Sequence, residues 1–419
     1  MAFISTKREP GFRYQFALWS LIFIIIGLFV SRAMMSIGMF AIGIQFFLKD
    51  DYKKTWEEFY KDKILFYLSL IFFLYLVSGL YSSDMKYYFE RMSLKLPFLL
   101  MPLGFAALKG MPKRFFLHTL ATFVLLVFIV AVGSMLMYMM NYKQITENYK
   151  YAKVIPVLFK LNHIRYSLMM AVAIFSAYYL YCHQYFIFNK KAERFFFIAA
   201  GGFILLFLHL LSVRSGLLAF YASLFVIIVV YIIHKKKYKK GIILLILLMI
   251  TPIVMYVAVP TIRNKVNYMI KDVSMFMKGK GMNEYSDSNR LLSIKLGIEL
   301  GNTSPLIGLG VGDVKNEIFK AYETNYPKVL PERRLIPHNQ FVFIYMAIGG
   351  IGLLLFLFLT FYPLFQNKTY SGFLFLTCNT IFISSYLSEA TLENQLGVSL
   401  FITFYLISYF IDREIVEYK

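Results

Sequence analysis

The chain has 419 residues, of which 59% are hydrophobic and 16% charged, with a mean hydropathy of +0.62. Soluble domains run at roughly 45–50% apolar and about 25% charged, so this composition excludes an ordinary soluble protein. The formal charge of +21 does not argue for nucleic acid, because the basic residues gather at the borders of apolar blocks, where anionic lipid headgroups attract them.

The apolar blocks are about 16 to 26 residues long, the length a helix needs to cross about 30 Å of hydrocarbon. Strands of a membrane barrel would alternate apolar and polar residues over about ten positions, and no such alternation occurs. The expected class is therefore an all-α polytopic membrane protein of about twelve transmembrane helices with one large, mostly helical outer loop. In chain order the spans are expected near 15–31, 33–48, 64–80, 94–108, 115–140, 164–182, 195–211, 216–233, 241–259, 339–361, 370–387 and 396–411. The first two share a small break at Ser31 and Arg32, which leaves the count at eleven or twelve. The basic start (Lys7, Arg8, Arg13) before a long apolar run reads as a signal anchor and not a cleaved peptide.

Short loops rich in Lys and Arg stay in the cytoplasm. Such loops are 49–63, the group Lys109, Lys113 and Arg114, the group Lys190, Lys191 and Arg194, and the run from Lys235 to Lys240. Both termini then face the cytoplasm and the segment from about 260 to 337 faces the periplasm. This gives three parts: 1–259 with about nine helices, the large loop 260–337, and 338–419 with about three helices. Cys182 and Cys378 lie in or beside spans, and no disulfide framework or metal set follows from them.

Between the spans, 82–95 mixes charge with aromatics and reads as a helix in the membrane interface. Within the large loop, 261–278 reads as an amphipathic, Met-rich helix. Gly279, Gly281, Asn283 and the run Ser286, Asp287, Ser288 read as a flexible link. A helix-like stretch from Arg290 to Leu300 follows, with Asp287 or Ser288 as its cap. Then come Gly308, Gly310 and Gly312 in a tight turn, and a charged helix over about 313–324. So many turns suggest a folded lid and not a tether.

Four places could carry chemistry. Arg214, in the turn Ser212, Val213, Arg214, Ser215, Gly216, is either a snorkelling interface anchor or a fork of donors for phosphate oxygens. Arg290 is either a solvated loop arginine or part of the same anion site. His163 and Arg165 mark another outer helix boundary. His338, followed by Asn339, is either a polar helix start or a neutral imidazole able to take a proton near neutral pH. The outer loops hold no Asp-x-Asp pair for a divalent metal, and the chain has no P-loop and no Gly-x-Ser-x-Gly elbow.

Taken in order, several of these pieces resemble the O-antigen ligase and O-antigen polymerase superfamily of bacterial envelope polysaccharide enzymes. They are Asn162, His163, Ile164, Arg165, Tyr166, Ser167; the Ser212–Gly216 turn; Arg290; Pro305, Leu306, Ile307, Gly308, Leu309, Gly310; and His338, Asn339, then Gly349, Gly350, Ile351, Gly352. The resemblance implies a C-type membrane glycosyltransferase that needs neither metal nor cofactor. Its donor is a glycan on undecaprenyl diphosphate at the outer face of the inner membrane, and its acceptor a hydroxyl of lipid A-core or of a growing glycan. It further implies diphosphate binding by Arg214 and Arg290 and action of His338 on the acceptor hydroxyl. His163, Arg165 and Asn339 are further candidates for substrate contact. Within this class a ligase is favoured over a polymerase of O-antigen, capsule or exopolysaccharide units. A non-enzymatic transporter of the lipid-linked glycan is the rival from another class; it expects charges near the membrane midplane, whereas here they cluster at one face.

Overall fold

The computed structural model describes residues 11–49, 51–148, 155–183, 185–278, 286–366 and 372–417. Among the described residues the chain is entirely helical, without strands. In order the helices are α1 (Phe12–Val30), α2 (Arg32–Ile44), α3 (Tyr52–Lys61), α4 (Lys63–Val77), α5 (Met85–Lys95), α6 (Pro97–Ala107), α7 (Lys113–Met140), α8 (Tyr142–Asn148) and α9 (His163–Cys182). They continue with α10 (Lys190–Leu211), α11 (Arg214–Lys235), α12 (Tyr238–Ala258), α13 (Pro260–Met277), α14 (Ser286–Gly301), α15 (Val314–Asn325), α16 (Gln340–Phe365), α17 (Phe373–Ser388) and α18 (Gln395–Glu417).

Each of the expected spans falls on a helix, but the helices are not equivalent. Eight are long and apolar enough to cross a membrane: α1, α4 with the turn after it, α7, α10, α11, α12, α16 and α18. The others are shorter or more polar. α2 has 13 residues, about 20 Å at 1.5 Å per residue, and α17 has 16. α6 has 11, opening at Pro97, which suits a first helical position, and running on past Pro102 to Ala107. α9 has 20 residues, but polar groups break up its apolar run. α2 is held in the bundle by close contacts between small residues: a Cβ on Gly27 would lie 2.6 Å from the backbone nitrogen of Met35, and one on Gly104 would strike the carbonyl of Ile42. α18 is the most enclosed of the long helices and α12 the least.

The large loop is folded onto the bundle. α16 is interrupted at Gly349, whose φ of +73° is open to glycine. There the interrupted helix exchanges backbone hydrogen bonds with the loop. Leu309 and Gly310 donate to the carbonyls of Met346 and Ala347, both at 2.9 Å, and Gly350 and Ile351 donate to Pro305 and Leu306 at 2.7 and 3.2 Å. The approach is so close that a side chain on Gly308 would meet the backbone of Ala347, and one on Gly349 the backbone of Leu306. The same loop segment also grips the turn after α4. Ser83 and Asp84 donate their N–H groups to Asp313 at 2.7 and 2.9 Å, and Tyr81 donates to the carbonyl of Ile307 at 2.8 Å.

The expected loop helices over 261–278 and 313–324 are α13 and α15. The run Ser286, Asp287, Ser288 is not a link, as expected, but the first turn of α14; residues 279–285 lie outside the described residues. The mixed segment 82–95 forms α5, and two of its charges are explained by protein contacts. Lys95, fully buried, pairs with Glu393 at 3.0 Å and donates to the carbonyl of Leu392. Tyr75 donates to the same Glu393 oxygen at 2.6 Å, Gln340 donates to it at 3.1 Å, and Arg91 donates to the Glu393 carbonyl at 2.9 Å. This buried knot ties α4, α5 and the start of α16 to the segment between α17 and α18.

Removing one partner of a buried ion pair costs about 3–5 kcal/mol, whereas removing both with similar volume is nearly neutral. Lys95→Met is therefore expected to lower the thermal unfolding midpoint in detergent strongly, and Lys95→Met with Glu393→Gln to recover much of the loss. A double variant no more stable than the single one would count against the knot as a fold-holding element.

Candidate functional site

The turn between α10 and α11 is built around Ser212, which adopts a left-handed conformation with φ +52°. Its hydroxyl donates to the carbonyl of His209 at 2.7 Å and lies 3.3 Å from that of Thr261, which in turn donates to the carbonyl of Leu210 at 3.2 Å. The chain then enters α11 directly at Arg214. Gly216 lets this first turn sit against Ser167 of α9, where a side chain would collide. Arg214 thus stands at a helix N-terminus, where the macrodipole and unpaired N–H groups already favour an anion.

α14 supplies the second arginine. Neither Asp287 nor Ser288 acts as its cap, as the sequence suggests; the cap comes from the neighbouring helix. Asp272 of α13, fully buried, accepts the N–H groups of Asp287 and Ser288 at 2.8 and 3.0 Å and the hydroxyl of Ser288. This frees the Asp287 side chain to pair with Arg214 at 2.5 Å, with Arg290 at 3.8 Å from the same oxygen. The other oxygen of Asp287 is buried and accepts no hydrogen bond. One turn further along α14, Ser293 accepts the backbone N–H of His338 at 3.1 Å.

These groups border a cavity of about 560 Å³. Arg214, Lys265, Arg290 and Arg333 line it with Asp287 and Glu389, an excess of two positive charges, and His163 forms part of its wall. His338 does not line it, but its ring lies within electrostatic reach of Glu389, Arg290 and Arg165. Burial holds the His338 imidazole below its usual range, Arg290 and Arg165 push the same way, and Glu389 opposes them. Arg165 pairs with Glu389 at 2.8 Å, the two side chains being 11% and 7% exposed. Arg165 therefore steadies Glu389 more than it faces open space. Asn339 caps α16 by accepting the N–H groups of Phe341 and Val342 at 2.9 and 3.0 Å, and donates to the carbonyl of Leu387 at 3.0 Å.

The structure thus gathers Arg214, Arg290 and His163 at one cavity, sets His338 and Arg165 beside it, and gives Asn339 a capping task. Sequence reasoning missed Glu389, Lys265 and Arg333. For Glu389 a signal was present: it is a carboxylate at the end of an apolar helix, at the face where the cationic candidates collect. Among the described residues no three His, Cys, Asp or Glu side chains converge to hold a metal ion.

A family model described as O-antigen ligase matches residues 195–357. Residues 195–357 carry an O-antigen ligase-type domain, which supports a place for the chain in the O-antigen ligase and polymerase superfamily. The matched segment runs from α10 into α16, and so contains Arg214, Lys265, Arg290, His338 and Asn339. It begins after His163 and Arg165 and ends before Glu389. No curated protein matches the chain.

A capping side chain contributes about 0.5–2 kcal/mol, and Asp272 caps α14 from another helix. Asp272→Ala is expected to speed amide hydrogen exchange in the first turn of α14, over Asp287 to Arg290, and to leave exchange in α7 unchanged. Equal exchange in that turn before and after the substitution would remove Asp272 as the holder of the arginine.

Proposed function

We propose that this O-antigen ligase-type protein transfers a glycan from undecaprenyl diphosphate to an acceptor hydroxyl, that of lipid A-core, at the periplasmic face of the inner membrane. The observation that carries the reading is the convergence of Arg214 and Arg290, from two different helices, on one carboxylate oxygen at the wall of a cationic cavity. A diphosphate diester carries two negative charges, equal to the charge excess of the lining. Preorganised cations stabilise charge that develops on a leaving group without reorganising at the moment of reaction.

In this mechanism Arg214 and Arg290 hold the two phosphates, with the N-terminus of α11 adding its dipole. The neutral imidazole of His338 takes the proton of the acceptor hydroxyl. The acceptor oxygen attacks the anomeric carbon, the bond from that carbon to the phosphate oxygen breaks, and its electron pair leaves with the diphosphate. A single displacement inverts the anomeric centre. Glu389, fixed by Arg165, then stabilises the imidazolium that forms. General-base action of this kind contributes about 10²–10⁴-fold.

Purified protein in liposomes, supplied with undecaprenyl diphosphate glycan and lipid A-core, tests the reading. Joining is expected to fall about 10²–10⁴-fold in His338→Ala, and transfer at the full rate would remove the imidazole from the mechanism. Lipid movement across the bilayer without joining would instead indicate a transporter. Cells lacking the protein should accumulate full-length lipid-linked chains, whereas single repeat units would indicate a polymerase.

Arg214→Lys keeps the charge and loses the planar fork, so a large loss of activity with normal membrane insertion is expected. Unchanged activity would leave Arg214 an interface anchor. Because the His338 base must be neutral and its pKa is depressed, the rate should hold at pH 7 and fall on acidification below the usual 6.5. An acid limb above pH 7 in the pH–rate profile would assign it to another group.

A further inference from the structure

We infer that Lys265 is a third cation for the donor diphosphate, acting beside Arg214 and Arg290; this rests on the glycan-transfer reading above. α13 presents Thr261, Lys265, Met269 and Asp272 at spacings of four, four and three residues, which puts them on one helix face. Both ends of that face are anchored. Thr261 bonds to the α10–α11 turn that leads into Arg214, and Asp272 caps α14 just ahead of Arg290. Lys265 lies between these anchors, so the two contacts that position the arginines also aim its ammonium into the cavity it lines.

Among the described residues, titratable groups that act on it are Arg214 from α11, Asp287 and Arg290 from α14, and His163 from α9. Arg333, on the return segment before His338, lines the same cavity, as does Tyr268 from α13 itself. A solvated lysine on an amphipathic helix would turn to water, whereas this one lies within electrostatic reach of Arg214, Arg290 and Asp287. Burial lowers its pKa to about 8, Arg214 pushes it the same way, Asp287 opposes, and Arg290 adds to the lowering. A doubly negative ligand placed among the three cations reverses that balance and favours the charged ammonium. Lys265 brings a point charge on a flexible stem, where the arginines bring fixed forks.

The sign follows directly. Below pH 8 the ammonium is charged and assists binding; as pH rises through 8 the empty site loses that charge and the anion must bind against deprotonation. A prenyl diphosphate sugar is a diester with no titrating group in this range, and the His338 imidazole titrates below it. Dissociation constants of a synthetic prenyl-diphosphate N-acetylglucosamine on the full-length protein in detergent, at pH 7 and pH 9, test the inference.

The wild type should bind about tenfold more weakly at pH 9, the loss in charged fraction of a group titrating near 8. Lys265→Gln should bind about tenfold more weakly at pH 7, the scale of one charge-assisted hydrogen bond, and show no slope with pH. Lys265→Arg should bind tightly at both. A wild-type constant equal at the two pH values, or an unchanged slope in Lys265→Arg, overturns the assignment, and neither depends on whether the Gln variant folds. If Arg214→Ala and Arg290→Ala lose binding while Lys265→Gln does not, this inference alone fails. If all three bind as wild type, the diphosphate reading fails with it.

Discussion

The structure depends on an interruption. At Gly349 the long helix α16 gives up its own bonding, and the loop segment 305–310 supplies partners for the backbone groups around the break. A helix broken at membrane depth is tolerated where other protein satisfies its polar groups, and here the protein that does so is the loop that must be held in place. Docked by these backbone bonds, and by Asp313 and Tyr81 at the turn after α4, the loop segment is held firmly on the bundle. The residues that precede it (α13 and α14) and follow it (330–339) are thereby fixed against the bundle.

α14 converts this rigidity into a site. Its first turn offers Asp287 and Arg290, its second offers Ser293 to the backbone of His338, and Gly297 lets it press against Pro337. One helix therefore sets the distance between Arg290 and the segment that carries the His338 imidazole. The cations repel one another, and the fold meets that repulsion with two carboxylates, Asp287 between Arg214 and Arg290 and Glu389 against Arg165. In the proposed reading an anion of two charges offsets the remaining positive charge.

Much of this was legible in the sequence because hydropathy reports span positions directly and because an arginine in a turn between two apolar helices has few ordinary explanations. Arg214 and Arg290 could be picked out singly. Pro305–Gly310 and Gly349–Gly352 could also be recognised as separate pieces, but their mutual contact could not, since it is made by backbone atoms that every residue carries. Asp272 was invisible as a cap for the same kind of reason: capping is read from neighbours in sequence, and this cap reaches across helices. Lys265 was hidden among Arg263, Lys271 and Lys278, which share its charge but not its helix face. The buried pairing of Lys95 in α5 was not legible, because a charged, aromatic helix at a span border suggests lipid contact and its partner Glu393 lies far along the chain.

The knot around Glu393 bears on how the protein is made. Its members come from α4, α5, the start of α16 and the segment after α17, so the carboxylate that joins them is synthesised last. Glu389, four residues earlier, closes the wall of the cavity. The spans up to α16 can enter the membrane during translation, but Lys95 waits without its partner and the cavity stays open until the ribosome has passed the α17–α18 connection. Assembly of the candidate site is thus tied to synthesis of α17 and α18, and a truncated product lacking these two helices would carry the arginines and the imidazole without Glu389 and Glu393.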